Sequence, residues 1–245
     1  ENHPVLMTEP PFNPKSNREK LTQMVFETFN VPLFYLATSS ALALYASERM
    51  TGVVFDSGFQ SSRVVPIYEG YILSSGVINF NVGGNALTEY LQSMLEKRGF
   101  AHGTTCDIAL ARALKEKHCY VASDFDSELK AFTEGRSANR EEYRPNGELL
   151  ASLGAECILC PEAVFQPCLF NVESDGIHDV IAECISKCKA DLHTQLYDNI
   201  VVAGGSSCFK GFVDRLRLEL QRCVPEGTSV GLTAPYTRQH SAWVG

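Results

Sequence analysis

The sequence predicts an α/β fold from three features of its 245 residues. The chain opens in strand, helix, strand order. Two short apolar strands, residues 53–55 and 200–203, each run into a glycine turn, Asp56-Ser57-Gly58 and Gly204-Gly205-Ser206. Amphipathic stretches with helical spacing lie between and after them.

The elements follow in order. Val5, Leu6 and Met7 form an apolar strand, and Pro10, Pro11 and Pro14 lead into a helix. Ser16 with Glu19 three residues later has the form of a capping box, and Leu21, Met24, Val25 and Phe29 recur behind it, so this helix is expected over 17–29. Residues 31–37 read as a buried strand and 39–47 as a short helix. Residues 53–73 hold three short apolar stretches broken at Asp56-Ser57-Gly58, Pro66 and Glu69-Gly70. They are too close together for helical crossovers and predict an antiparallel meander.

Leu87, Tyr90, Leu91, Met94 and Leu95 mark one face of a helix ended by Gly99. Thr105 is expected to cap the next helix, which carries Arg112, Lys115 and Glu116. Residues 124–147 turn polar and finish in Arg144-Pro145-Asn146-Gly147, the composition of a hairpin turn at a mobile outer edge. Ile177, Val180, Ile181, Cys184, Ile185 and Cys188 form a helical stripe, residues 200–203 a strand, and Phe212, Val213, Leu216 and Leu220 a last helix. Strand, Gly-Gly turn, helix is an order that presents backbone N–H groups to an anion.

Composition narrows the function. The net charge of −8 is spread among both signs with no concentrated basic face, which argues against a nucleic-acid partner. No apolar run approaches the roughly 20 residues of a membrane span, so a soluble protein is expected. Nine cysteines, an odd number without an apolar leader before them, read as reduced thiols of the cytosol or nucleus. Cys157 and Cys160 have the spacing of half a zinc site but lack a second pair, while Cys184 and Cys188 sit on an apolar helix face. Buried thiols are therefore expected, and no metal site. Residue 1 is Glu, so the sequence reads either as beginning inside a longer protein or as naturally short.

Several strings are similar to actin almost residue for residue. They include Asn13-Pro14-Lys15 with Asn17-Arg18-Glu19-Lys20, Phe26-Glu27-Thr28-Phe29-Asn30, Pro66-Ile67-Tyr68-Glu69-Gly70-Tyr71, and Lys115-Glu116-Lys117 with Cys119-Tyr120-Val121-Ala122. Cys160-Pro161-Glu162-Ala163 with Phe165-Gln166-Pro167 and Gly204-Gly205-Ser206 continue the series in the same order. The chain is identified by them as a divergent member of the actin family, resembling the orphan actin-like proteins often found in male germ cells. The resemblance implies a two-lobed α/β fold with a ribonuclease H-like motif and a nucleotide between the lobes. It assigns residues 1–46 to part of the first lobe, 47–82 and 171–239 to the inner part of the second, 83–170 to its outer helical part, and 240–245 to a return toward the first. The first phosphate hairpin and the C-terminal helices of a complete actin have no counterpart in these residues.

By the same resemblance Asp56, Ser57, Gly58, Gly84, Arg112, Lys115, Glu116, Gly204, Gly205, Ser206 and Phe209 face ATP or ADP, with Mg²⁺ or Ca²⁺. Lys115 would supply a cation and Glu116 an acceptor for a ribose hydroxyl. The chain departs from the family where phosphate chemistry is concerned. Phe59 and Gln60 replace an acid and a glycine, Ser39 stands in the place of a glutamine, and Arg63 in that of a histidine. Asp56 keeps its aspartate. Ser39 is too short to reach the water a glutamine would hold, and a guanidinium cannot accept a proton at neutral pH.

Loss of one such donor can lower a rate by roughly 10² to 10³. The implied function is a non-catalytic or weakly catalytic structural protein that assembles with actin or actin-like subunits in the cytoskeleton or the nucleus, with nucleotide as a structural ligand. The alternative is a slow ATP-hydrolysing filament former. Leu169 and Phe170, at the tip of a loop resembling one that actin uses between filament strands, are the expected partner contact. Glu48 stands where actin has a small residue, beside Tyr45, Ala46 and Met50, and would exclude ordinary actin-binding helices.

Overall fold

In a computed structural model of the chain, residues 3–98, 107–137, 140–143, 149–170, 172–225 and 227–245 are described. The first unit is β1 (Val5–Glu9), α1 (Lys15–Glu27) and β2 (Phe34–Thr38), with β1 and β2 parallel and Val5 opposite Phe34. Asn13 donates to Glu9 (3.1 Å) and Arg18 grips the same carboxylate through Nε (2.7 Å) and Nη2, so the buried Glu9 ties the end of β1 to the start of α1.

The capping box at Ser16 does not form. Pro14 is the N-cap, held extended at φ −53°, ψ 137°, and the helix begins at Lys15, so Ser16 falls inside its first turn. A proline lacks the N–H to continue a helix backwards, and its carbonyl instead accepts from Asn17 and Arg18. The strand expected over 31–37 likewise starts later, at Phe34.

The second sheet is formed by β3 (Gly52–Ser57), β4 (Ser62–Tyr68), β5 (Tyr71–Ile72), β6 (Ile78–Phe80), β9 (Ile200–Ala203) and β10 (Leu232–Thr233). Its order is β10-β9-β3-β4-β5, with β6 also on β4. The expected meander is present, with Pro66 inside β4 opposite Val53 rather than at a break: β3, β4 and β5 are joined antiparallel, while β9 enters parallel to β3 from far along the chain. Both faces are covered, which is why β3 and β9 read as unbroken apolar runs. Val53 and Phe55 join the larger core with Ile200 and Val202; Val54 points the other way, with Val201 and Ala203, against α2 (Ser39–Tyr45).

Among the described residues six helices contribute to the larger core: α3 (Gly84–Lys97), α4 (Ile108–His118), α6 (Glu156–Glu162), α7 (Ile177–Ser186), the short α8 (His193–Tyr197) and α9 (Phe212–Cys223); α5 (Phe125–Thr133) flanks them. Phe55 stacks on Phe212 with centroids 6.1 Å apart and Phe212 meets Phe165 at 5.4 Å. Burial of each such ring is worth about 1.5–3 kcal/mol. The stripe expected from Ile177 to Ile185 is buried as the inner face of α7. Asp107 caps α4 by accepting from the Ala109 N–H (3.2 Å), while Thr105 and Gly99 lie outside the described residues. Strands β7 (Arg140–Tyr143) and β8 (Leu149–Leu153) pair antiparallel on either side of the expected 144–147 turn, which is also outside them. The final helix, α10 (Ser241–Val244), packs on α2.

One charged pair lies inside this core. Arg215 of α9 donates to both oxygens of Glu162 (3.0 and 3.3 Å) and to the carbonyl of Ala122 (2.9 Å), joining α9 to α6 and to the strand-like segment before α5. Burial pushes the Glu162 carboxyl up to about 6, against the pull of Arg215. The folded chain thus holds this proton more tightly than the unfolded one, a stabilisation complete below pH 4.5 and lost as pH rises through about 6. The unfolding free energy of the wild type, measured relative to Glu162→Gln, is expected to rise by about 2 kcal/mol between neutral pH and pH 4.5. A difference that stayed flat or fell in denaturant titrations would show that the ion pair outweighs burial.

Candidate functional site

The parallel pairing of β3 with β9 sets Asp56 opposite Ala203, so both strands end at the same level and their glycine turns lie side by side. Gly204 has φ +88°, and a Cβ there would stand 2.3 Å from the carbonyl oxygen of Ser57. Only glycine fits. Gly58 closes the β3–β4 hairpin by donating its N–H to Ser61 (3.1 Å). Its own carbonyl accepts twice, from the Gly84 N–H (2.9 Å) and from the Ser206 hydroxyl (2.9 Å). A Cβ on Gly84 would meet that hydroxyl at 2.5 Å. The hairpin, the start of α3 and the turn after β9 therefore converge on one oxygen. Because Asn85 also donates to the Phe59 carbonyl (2.7 Å), the first two N–H groups of α3 are satisfied by the hairpin and do not point at a ligand.

Above this junction opens a cavity of 530 Å³, within the usual range of small-molecule sites. Gly58, Gly84, Gly205, Ser206 and Phe209 line it from the turns, and Arg112, Lys115 and Glu116 from α4. Eight of the eleven residues expected to face a nucleotide thus share one space. Sequence reasoning missed Lys117, Lys210 and Gln239, which also line it; Gln239 follows Arg238, whose carbonyl accepts from Gly204 (3.0 Å) and whose guanidinium holds Ser207. Nothing local in the sequence ties residues 238–239 to a turn more than thirty positions earlier.

Lys115 is buried, and its ammonium donates to the Gly84 carbonyl (2.6 Å) and the Thr88 hydroxyl (2.8 Å), leaving one of three donors for a ligand. Burial lowers its pKa, opposed by the neighbouring Cys160 and Glu116. Glu116 and Arg112 are exposed and pair with each other (2.9 Å). The Arg112 guanidinium also stands 5.6 Å above the Phe59 ring. No heavy atom lies within 4 Å of the Cβ position on Gly205, so ligand atoms can approach its backbone closely.

Asp56 lies elsewhere. It lines a neighbouring cavity of 510 Å³ with Ser39, Arg63 and Glu9, and the two cavities share Gly58 and Phe59. The three positions at which the chain departs from or keeps the family's water-handling groups are thus brought together. Arg63 donates to Asn79 (3.1 Å). Burial raises the Asp56 carboxyl, and the charge of Arg63 opposes the rise. Ser57 and Gly204 line neither cavity: the Ser57 hydroxyl is buried against Ser62 (2.8 Å), and Gly204 packs on the Ser57 backbone.

A nucleotide fits these residues. The open face of Gly205, the ring of Phe209, the remaining donor of Lys115 and the Glu116 carboxylate supply surface, donor and acceptor along one wall. Among the carboxylates on the two cavities Glu9 is tied to Arg18 and Glu116 to Arg112, so Asp56 is the one that would face a divalent ion's water shell. Away from the cleft, Leu169 is half-buried against the Ala122, Phe125 and Ile158 cluster. Glu48 stands at φ +57° beside the exposed Tyr45 and Met50. No described helix is long and apolar enough to cross a membrane.

Fold and cleft together define an α/β protein that opens a ligand-sized cavity between two glycine turns. A family model described as Actin matches residues 1–245, and the chain belongs to the actin family. An "Actin-like protein" of Neurospora crassa is 41% identical over 248 residues, an alignment that covers 100% of this chain and 65% of that relative. The chain therefore spans just under two thirds of the length of this relative.

The two glycines of the second turn separate folding from binding. Gly204→Ala is expected to lower the unfolding free energy by at least about 2 kcal/mol in denaturant titrations, through left-handed strain and the clash with Ser57. Gly205→Ala should stay within about 0.5 kcal/mol of the wild type.

Proposed function

We propose that this chain is an actin-family scaffold that holds an adenine nucleotide as a structural ligand and acts by assembly with actin or actin-like subunits, in the cytoskeleton or the nucleus, without brisk hydrolysis. One observation carries the reading: both glycine turns and α4 open onto a single 530 Å³ cavity. A ligand seated there touches three segments distant in sequence. By binding the folded state alone it would stabilise the fold by RT ln(1 + L/Kd), where L is the free ligand concentration, a gain that grows with the logarithm of that concentration. ATP or ADP supplies the adenine, ribose and phosphate groups that such a wall of donors, acceptor and ring can recognise, with Mg²⁺ or Ca²⁺ beside Asp56.

Weak turnover follows from the second cavity. Hydrolysis needs a water held in line and donors where charge develops on the terminal phosphoryl. Ser39 is short, Arg63 is a permanent cation, and Phe59, whose ring Arg112 already engages, lines both cavities. The slow filament-forming ATPase remains the second reading, because Ser39, Asp56 and Arg63 share one space. A chain with Asp56 beside Arg63 retains a carboxylate that could orient a metal-bound water, although the guanidinium of Arg63 cannot accept a proton as a histidine would.

Titration calorimetry with ADP and ATP, with and without Mg²⁺, tests the first reading. Binding is expected, and Gly205→Ala should weaken it at least about tenfold, or 1.4 kcal/mol, while leaving stability unchanged. No heat of binding with either nucleotide would sink it. Lys115→Ala is a poor probe, since the buried ammonium holds Gly84 and Thr88 in place. Mg²⁺-dependent phosphate release is expected to stay near background; brisk release abolished by Asp56→Ala would establish the ATPase instead.

A further inference from the structure

Among the described residues, one group of His, Cys, Asp and Glu side chains brings three donor atoms within 4.8 Å of one another: His178, Asp179 and Cys223. It lies where the start of α7 meets the end of α9, and the cleft makes no use of it. The imidazole is fixed in orientation. Its ring stacks on Phe165, with centroids 6.3 Å apart and planes at 26°, and lies over Gly176, where a Cβ would stand 2.6 Å from Cε1. Nδ1 is turned inward, buried and without a partner, so Nε2 is the nitrogen available to an ion. Nε2 is 3.3 Å from one oxygen of Asp179, and the Cys223 sulfur is 3.5 Å from the other.

We propose that His178 Nε2, the Asp179 carboxylate and Cys223 Sγ form a binding site for a divalent ion of borderline softness, zinc foremost, with water in the fourth position. Bond lengths of about 2.0–2.3 Å in a tetrahedral shell place neighbouring ligand atoms about 3.3–3.8 Å apart. His178 and Cys223 each already stand at that spacing from Asp179, through different carboxylate oxygens, and with one atom from each residue the three donors lie within 4.8 Å of one another. A neutral imidazole, a carboxylate and a thiolate carry two negative charges against the two positive charges of the ion. Nitrogen, oxygen and sulfur together suit zinc better than the hard, all-oxygen preference of magnesium or calcium. Access is present as well: Cys223 lines an open hollow of 550 Å³ with Glu183, His193 and Tyr197, through which an ion and its water can enter. An ion held there would clip α7 to α9, two helices that apolar side chains of the larger core already join.

The test uses the full chain and the metal alone. Titration with Co²⁺ or Cd²⁺ under reducing conditions is expected to give a thiolate charge-transfer absorption that saturates at one equivalent and is displaced by Zn²⁺. The exposed Cys208 and Cys168 are the natural sources of adventitious binding. The band should persist in Cys208→Ser and Cys168→Ser and vanish in Cys223→Ser. His178→Gln is expected to weaken Co²⁺ at least about tenfold. Zn²⁺ should raise the melting temperature of the wild type and leave that of Cys223→Ser unchanged, with matching far-ultraviolet dichroism showing that the variant folds. Absence of the band, or a band that survives in folded Cys223→Ser, overturns the proposal.

Discussion

The carbonyl oxygen of Gly58 is the point on which the site depends. It accepts from the first N–H of α3 and from the hydroxyl of Ser206, so a hairpin, a helix start and a distant strand turn are registered to one another by a single acceptor. A carbonyl has two lone pairs, and here both are taken. The geometry works because the residues around it are small: Gly84 leaves room for Ser206, and Gly204 for the Ser57 backbone. Side chains at either glycine would separate the turns before any ligand arrived.

The same economy governs the charged groups. Lys115 spends two donors inside the protein, Arg112 is shared between Glu116 and the Phe59 ring, and Glu9 is enclosed by Asn13 and Arg18. Buried or half-buried charges demand such partners, since an unpaired one would be expensive to desolvate. A cleft whose ions are largely occupied with one another is suited to holding a ligand in place. It is less suited to following the charge changes of a reaction, which requires groups free to respond at the reacting atoms.

The two ends of the larger core are built differently. Near the cleft, elements are fixed by backbone hydrogen bonds and by glycine contacts that tolerate almost no displacement. At the far end of α7 and α9 the packing is apolar, with Ile177, Val180, Ile181 and Leu220 in the core. His178, Asp179 and Cys223 gather there, with His178 Nδ1 buried and without a partner. Leu169, read from the sequence as a tip that reaches out, has its side chain among Ala122, Phe125 and Ile158, because apolar surface on its own domain lies within reach.

Local sequence decided the secondary structure that rests on local forces. The meander was legible because Gly58 and Glu69-Gly70 leave no room for a helix between strands, although Pro66, read as a third break, lies inside β4 opposite Val53, and α7 because its apolar stripe has the helical period. The eight cleft residues on the turns and α4 were legible only through likeness to a family, since a lone Gly-Gly or a Lys-Glu pair carries no address in space. Where local rules competed, Pro14 overrode the capping box at Ser16, a covalent constraint outweighing a hydrogen bond. The parallel entry of β9 beside β3 belongs to the tertiary structure alone. It brings Gly204 onto Ser57, Arg238 and Gln239 to the turn, and Arg215 to Glu162, contacts between positions up to 147 residues apart in the case of Gly204 and Ser57, which no short-range pattern encodes. Hydrophobic period is written along the chain; the meeting of polar groups is settled only when the whole core has closed.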